Sequence, residues 1–139
     1  MVHKITLMEA YLIETARKAG VSNEEMLSKA EQQDLESLNN LHENFDFTEL
    51  YPLVGKEGNV FKEILEEGYK IKFLTFPGLV NLLKLKFDKV KDKDFIVEEF
   101  SIKELQLTEL EIENLKTWIS TNWKVEEVGK GLEIKRVRR

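Results

Sequence analysis

The stretch "WKVEEVGKGLEIKRV", residues 123–137, decides the fold class of this sequence. Its two parts WKVEEV and LEIKRV are typical of short strands, and the connection GKG has a glycine on each side of one lysine. Glycine is favoured in tight hairpin turns because it adopts positive φ at little steric cost. The pattern predicts an antiparallel β-hairpin near the C-terminus, and the fold therefore contains a sheet.

The residues before this hairpin predict a helix with a strong start signal. The stretch TELE, residues 108–111, fits a capping box, in which a threonine hydroxyl and a glutamate carboxylate each accept a backbone N–H. Apolar residues follow at helical spacing, at Ile112, Leu115, Trp118 and Ile119. We expect a helix over residues 109–122.

Residues 69–102 contain two predicted strands and one ambiguous segment. The stretch YKIKFLT alternates, with Tyr69, Ile71 and Phe73 on one face, and FIVEEFSI (95–102) also fits a strand. Between them, FPGLVNLLKLKFDKV (76–90) has helical spacing after a proline, but its later residues alternate as in a strand. We expect a helix for its first ten residues and leave the remainder open between the two structures.

The N-terminal half is predicted to be helical. Residues 4–19 are apolar on more than one side, which is typical of a helix packed between other elements, and Gly20 suits its end. A second helix is expected over 23–44, with a break at EQQD (31–34) left open, and a third over 59–67.

The corner ARKAGVSNEEM, residues 16–26, has the outline of a DNA-binding helix-turn-helix. A capping box from Ser22 to Glu25 explains nearly every residue in it. A recognition helix places its first turn against DNA, and here that turn would present Glu24 and Glu25 to a polyanion. We therefore interpret the corner as structural.

Together these patterns predict an α+β protein with a predominantly helical N-terminal half, a small antiparallel sheet and a C-terminal β-hairpin. The 139 residues, of which 42% are hydrophobic, fit a single domain over 1–139.

Charge is distributed unevenly along the chain. Residues 1–67 carry 6 Lys/Arg and 14 Asp/Glu, a net charge of −8, whereas residues 68–139 carry 15 and 12, a net charge of +3. We expect an acidic helical half and a basic α+β half. Such an imbalance indicates either an interaction surface or two halves of one domain that attract each other.

Composition excludes several classes of function. The chain has no cysteine, which excludes disulfides, thiolate zinc sites and cysteine nucleophiles and fits a reducing compartment. No apolar run approaches the ~18 residues of a membrane span, and the first residues are too polar for a secretory signal. We expect a cytoplasmic protein that does not enter a membrane.

No pattern in the chain indicates catalysis, a cofactor or a metal site. His3 and His42 lie in different elements, and GKEGN around Lys56 lacks the spacing of a phosphate-binding loop. The aspartates of DKVKDKD (88–94) lack the glycine and final glutamate of a calcium loop. We expect a non-enzymatic protein without cofactor, although a pocket assembled from distant residues is invisible at this level.

The basic half provides the candidate interaction surface. Its members are Lys84, Lys86, Lys89, Lys91, Lys135, Arg136, Arg138 and Arg139. Our first hypothesis is that the protein acts by binding a protein partner, in a regulatory role. The alternative is a winged-helix-like nucleic-acid-binding protein that uses helix 109–122, hairpin 123–137 and the basic tail, with only weak, salt-sensitive affinity. The sequence indicates no oligomeric state.

Overall fold

A computed structural model describes residues 3–41, 45–55, 59–129 and 131–137. The α-helices are α1 (Leu7–Lys18), α2 (Asn23–Glu31), α3 (Tyr51–Val54), α4 (Val60–Glu67), α5 (Phe76–Phe87) and α6 (Glu109–Trp118), with 3₁₀ helices at Leu35–Leu41 and Phe47–Leu50. The strands are β1 (His3–Ile5), β2 (Tyr69–Ile71), β3 (Ile96–Glu98), β4 (Ser101–Leu105), β5 (Trp123–Val128) and β6 (Gly131–Arg136). The predicted α+β class is confirmed.

The strands form two sheets. β1 and β2 make a two-stranded sheet, and the other four make an antiparallel sheet in the order β3-β4-β6-β5, which contains the predicted C-terminal hairpin. The chain has two compact units, Met1–Tyr69 and Lys70–Arg139, and the division lies close to the predicted boundary between the acidic and basic halves. The single-domain organisation stays a prediction.

The first helix begins later than predicted. Residues 3–5 form β1, and α1 begins at Leu7 because Thr6 and Glu9 form a capping box that the sequence analysis missed. The Thr6 hydroxyl accepts from the Glu9 N–H (3.1 Å), and the Glu9 carboxylate accepts from the Thr6 N–H (2.8 Å). Met8, one of the apolar residues of the predicted helix, is exposed.

The second predicted helix is broken at EQQD. α2 begins after Ser22, whose hydroxyl accepts from the Glu25 N–H at 3.0 Å, without the return bond of a full capping box. It ends at Glu31, and Gln33 has a left-handed φ of 56° before the chain continues as a 3₁₀ helix. The continuous helix over 23–44 is therefore wrong.

The ambiguous segment is helical through Phe87. The Thr75 hydroxyl begins α5 by accepting from the Gly78 N–H (3.1 Å), and Asp88 ends it with a φ of 57°. α6 begins at the predicted capping box but ends at Trp118, four residues early, because Ile119 has extended backbone.

Two predicted strands differ from the structure. β2 ends at Ile71, and Phe73, predicted to be on the same face as Tyr69, is 64% exposed. The segment 95–102 is not one strand, because the chain reverses at Glu99 and Phe100 to connect β3 and β4.

A buried polar network joins three helices of the first unit. Glu14 on α1, 5% exposed, accepts hydrogen bonds from the Tyr69 hydroxyl (2.5 Å) and from Arg17 Nη1 (3.1 Å). Arg17 Nη2 and Asn23 Nδ2 both donate to the backbone carbonyl of Leu65, at 2.7 and 3.0 Å. That carbonyl lies in the last turn of α4, where backbone acceptors have no partner within the helix. The network therefore supplies hydrogen-bond donors to the last turn of α4 and connects α4 to α1 and α2.

Thr108→Ala should lower the free energy of unfolding by about 1 kcal/mol, because it removes the hydroxyl that accepts from the Glu111 N–H at the start of α6. Ser22→Ala should behave similarly at α2. Thr117→Ala, at an exposed site inside α6 away from the helix start, is the control and should not lower stability, because alanine has the higher helix propensity. Urea titrations measure all three, and unchanged midpoints for the first two variants would contradict the helix starts.

Stability should fall at alkaline pH because of Tyr69. Burial first, and then the charge of Glu14, raises the pKa of the Tyr69 hydroxyl well above its usual value of 10.0. In the unfolded chain this tyrosine ionises near pH 10, whereas in the folded protein it stays protonated to higher pH. Its contribution to the stability of the folded state is therefore complete below pH 10 and is lost progressively above pH 10. Unfolding titrations from neutral to alkaline pH should show a steeper loss above pH 10 for the native chain than for Tyr69→Phe. Parallel pH curves for the two proteins would contradict the assignment.

Candidate protein interface

The four-stranded sheet of the second unit has one apolar and one charged face. Ile102 and Leu105 on β4, together with Leu132 and Ile134 on β6, are buried on the inner face. The outer face carries three lysines and three glutamates, namely Lys103, Lys124, Lys135, Glu98, Glu126 and Glu133. Because the strands alternate between faces, these charged residues form one continuous row across the sheet.

Ion pairs neutralise this outer face. Lys135 Nζ lies 3.2 Å from a Glu126 oxygen and 3.5 Å from a Glu133 oxygen, and Lys103 Nζ lies 2.9 Å from a Glu98 oxygen. The hydrogen bond to Glu126, followed by the charge of Glu126, raises the pKa of Lys135 above its usual value. Lys135, predicted to belong to a basic interaction surface, is therefore already engaged within the protein.

The turn between β3 and β4 has an unusual backbone. Glu98 pairs with Ser101, so the turn consists of Glu99 and Phe100, which have φ angles of 43° and 65°. Two-residue hairpin turns with positive φ at both positions usually contain asparagine and glycine. A bulky side chain in this region is strained, and such strain is concentrated at functional sites.

Phe100 belongs to an aromatic–arginine cluster made of Phe76, Phe100, Trp123 and Arg136. The Phe76 ring contacts Phe100 edge-on, with centroids 5.8 Å apart, and lies 5.8 Å from the Trp123 ring. The Arg136 guanidinium lies over both Phe100 (5.6 Å) and Trp123 (5.8 Å). These distances are typical of aromatic pairs and of cation–π contacts.

The cluster is buried at its base and open at its top. Trp123 is buried, and its indole N–H donates to the Leu74 carbonyl at 2.7 Å. Phe100 is 62% exposed, and Arg136 is exposed without an ion pair to any residue that the structure describes. The exposed Phe100 ring and the Arg136 guanidinium, which has no ion pair among the described residues, thus lie side by side above the buried Trp123.

A shallow groove of about 650 Å³ adjoins the cluster. Phe100 and Arg136 line it, together with the paired charges Lys103, Glu133 and Lys135 of the outer face. The groove therefore connects the aromatic–arginine cluster to a polar, charge-neutral surface, an arrangement similar to the apolar centre and polar rim of a protein–protein interface.

The other predicted interface residues lie elsewhere in the second unit. Lys84 and Lys86 are in the last turn of α5, where positive charge is favourable to the helix dipole, and Lys86 Nζ lies 5.5 Å from the centre of the Trp118 ring. Lys89 and Lys91 follow in the connection to β3. Arg138 and Arg139 lie outside the described residues, as do His42 and Lys56.

His3 makes one polar contact in the structure. Its Nε2 lies 3.0 Å from a Glu63 oxygen. Within the described ranges, His, Asp and Glu side chains form no group of three that would hold a metal ion. No helix in that part of the chain has the length and apolar character needed to cross a bilayer.

Arg136 was predicted to belong to the interaction surface, whereas Phe100 was counted among the aromatic residues of the core, and its exposure of 62% shows that this was wrong. The pair Glu99-Phe100 contains no glycine, proline or asparagine, so nothing indicated a turn within FIVEEFSI. The one available signal was the adjacent pair Glu98-Glu99 inside an otherwise apolar strand pattern.

In comparisons with known proteins, no family model, curated protein or solved structure matches the chain.

The strain at Phe100 can be measured by comparing Phe100→Gly with Phe100→Ala. Both variants lose the ring, but only alanine retains the cost of a positive φ, which is roughly 1–2 kcal/mol. Phe100→Gly should therefore be more stable than Phe100→Ala by about 1 kcal/mol.

The matched control is the same pair of substitutions at Glu113, an exposed position inside α6. There the order should reverse, with glycine less stable than alanine by about 1 kcal/mol. If alanine is the more stable residue at both positions, Phe100 is not strained.

Proposed function

We propose that this protein is a non-enzymatic binding protein that recognises a protein partner through the aromatic–arginine cluster, in a regulatory role. The observation that carries the proposal is Phe100, a large apolar side chain held outward at 62% exposure by a turn with unfavourable backbone. A ring in solvent contributes little to folding, whereas aromatic residues and arginine dominate the binding energy of protein interfaces.

The chemistry of the cluster indicates what the partner offers. Phe100 suits an apolar side chain, and Arg136 has no carboxylate partner among the described residues. A guanidinium already positioned over aromatic rings loses less side-chain entropy when it forms a bidentate bond. The partner segment should therefore present an apolar residue close to an aspartate or glutamate, which fits the net charge of +3 in residues 68–139.

The nucleic-acid alternative has less support. In a winged-helix arrangement α6 would face DNA, and its exposed residues include Glu109 and Glu113 with Lys116 as the single basic residue. Lys124 and Lys135 of the hairpin are paired with Glu126 on the outer face. Phe100 beside Arg136 is also a chemically suitable stacking platform for an unpaired base, so the experiment includes single-stranded nucleic acid.

The test is affinity capture at ~150 mM salt with the native chain and four variants. Phe100→Ser and Arg136→Ser should lose the partner, whereas Leu110→Ser should retain it, although Leu110 is 79% exposed on α6 of the same unit. Arg136→Lys should also weaken capture, because lysine keeps the charge but not the planar stacking group.

Mixed DNA and RNA are titrated against the same proteins at the same salt concentration. The proposal is supported if nucleic-acid binding is negligible and if Phe100→Ser and Arg136→Ser no longer capture the protein partner. Tight nucleic-acid binding that is lost in Phe100→Ser and Arg136→Ser overturns it in favour of the alternative. Equal capture by all the variants also overturns it.

A further inference from the structure

Strand β5 is an open edge of the four-stranded sheet. It lies at one end of the order β3-β4-β6-β5 and pairs with β6 over six consecutive residues. The Val137 N–H donates to the Asn122 carbonyl at 3.0 Å, which fixes the alternation of hydrogen bonds along the hairpin. Even-numbered residues of β5 bond to β6, so Val125 and Glu127 direct their N–H and C=O groups away from the sheet.

These outward backbone groups have no partner among the described residues. The only outward group of β5 that is bonded is the Trp123 N–H, which donates to the Ser120 carbonyl at 3.2 Å. Proteins usually protect such an edge with a proline, a bulge, a covering element or charged side chains. β5 carries charges at Lys124, Glu126 and Glu127, and these restrict the edge to partners with complementary charge. β5 contains no proline, and its pairing with β6 has no register shift.

We propose that a second copy of this chain covers this edge, by antiparallel pairing of β5 with β5 about a twofold axis at Val125. The two four-stranded sheets then form one continuous sheet of eight strands. This inference does not depend on the aromatic–arginine cluster or on the proposed function.

Hydrogen bonding restricts which registers are available. Only pairings between outward-facing residues form bonds, so twofold centres must lie on a residue and not between two residues. With the centre at Val125, the two Val125 residues exchange two bonds, and each Glu127 N–H donates to the Trp123 carbonyl of the other copy. This register leaves the occupied Trp123 N–H undisturbed.

Charge and the occupied Trp123 N–H together select one of these registers. A centre at Trp123 would need the N–H that already donates to the Ser120 carbonyl. Centres at Lys124, Glu126 or Glu127 would place two identical charges directly opposite each other, which is destabilising in a sheet. The centre at Val125 places Lys124 of each copy opposite Glu126 of the other. Lys124 is 61% exposed in its side chain and lies 2.9 Å from its own Glu126, so it can share that carboxylate across the interface.

The first test measures the molecular mass of the full chain by sedimentation equilibrium over a range of concentrations. The proposal predicts a monomer–dimer equilibrium. Val125→Pro removes the two central N–H donors, and an outward-facing proline is tolerated on an edge strand. Val125→Pro should raise the dissociation constant of the dimer at least about tenfold, while the circular dichroism spectrum stays unchanged. A chain that is monomeric at all concentrations, or a folded proline variant that dimerises normally, overturns the proposal.

The second test distinguishes this register from any other contact. Lys124→Glu and Glu126→Lys should each be monomeric when alone, because each places like charges opposite each other in its own dimer. Mixed in equal amounts they should form a heterodimer, since both opposing pairs are then complementary. Lys116→Glu, on the exposed face of α6, is the charge control and should dimerise like the native chain. Failure of the mixture to dimerise overturns the register, even if either variant is destabilised.

Discussion

The hydrogen bond from the Trp123 indole N–H to the Leu74 carbonyl (2.7 Å) is the interaction on which the second unit depends. Two neighbours reinforce it, because Asn122 Nδ2 donates to the same carbonyl (3.0 Å) and the Ser120 hydroxyl accepts from the Leu74 N–H (3.1 Å). The segment that leads into the hairpin thus holds the backbone just before α5. The same indole ring supports Phe76 and Arg136, so folding and the candidate interface share one anchor.

Net charge alone would have suggested a uniformly basic surface on this unit. The structure instead shows lysines and glutamates paired across the outer face of the sheet, where exposed pairs contribute little to stability but cancel the field. Arg136 differs because it lies over aromatic rings and has no carboxylate partner in the described chain. The proposed recognition of a partner therefore relies on one positioned cation and not on the net charge of the unit.

Local signals predicted much of the fold. The C-terminal hairpin and the beginning of α6 followed from glycine placement and a capping box, which act within a few residues. The turn at Glu99-Phe100 could not be predicted, because strand pairing imposes a backbone that neither residue favours. The state of Lys135 was equally inaccessible, since its ion pair with Glu126 depends on the register of β5 against β6.

Photocrosslinking from position 100 would show directly whether the aromatic–arginine cluster binds a protein. A benzophenone analogue of phenylalanine placed there should crosslink to one protein at ~150 mM salt, and the added change Arg136→Ser should abolish the product. The same analogue at position 110, which is also exposed and apolar in the native chain, should give no such product. Equal crosslinking from both positions, or crosslinking from position 100 to nucleic acid alone, would contradict the account.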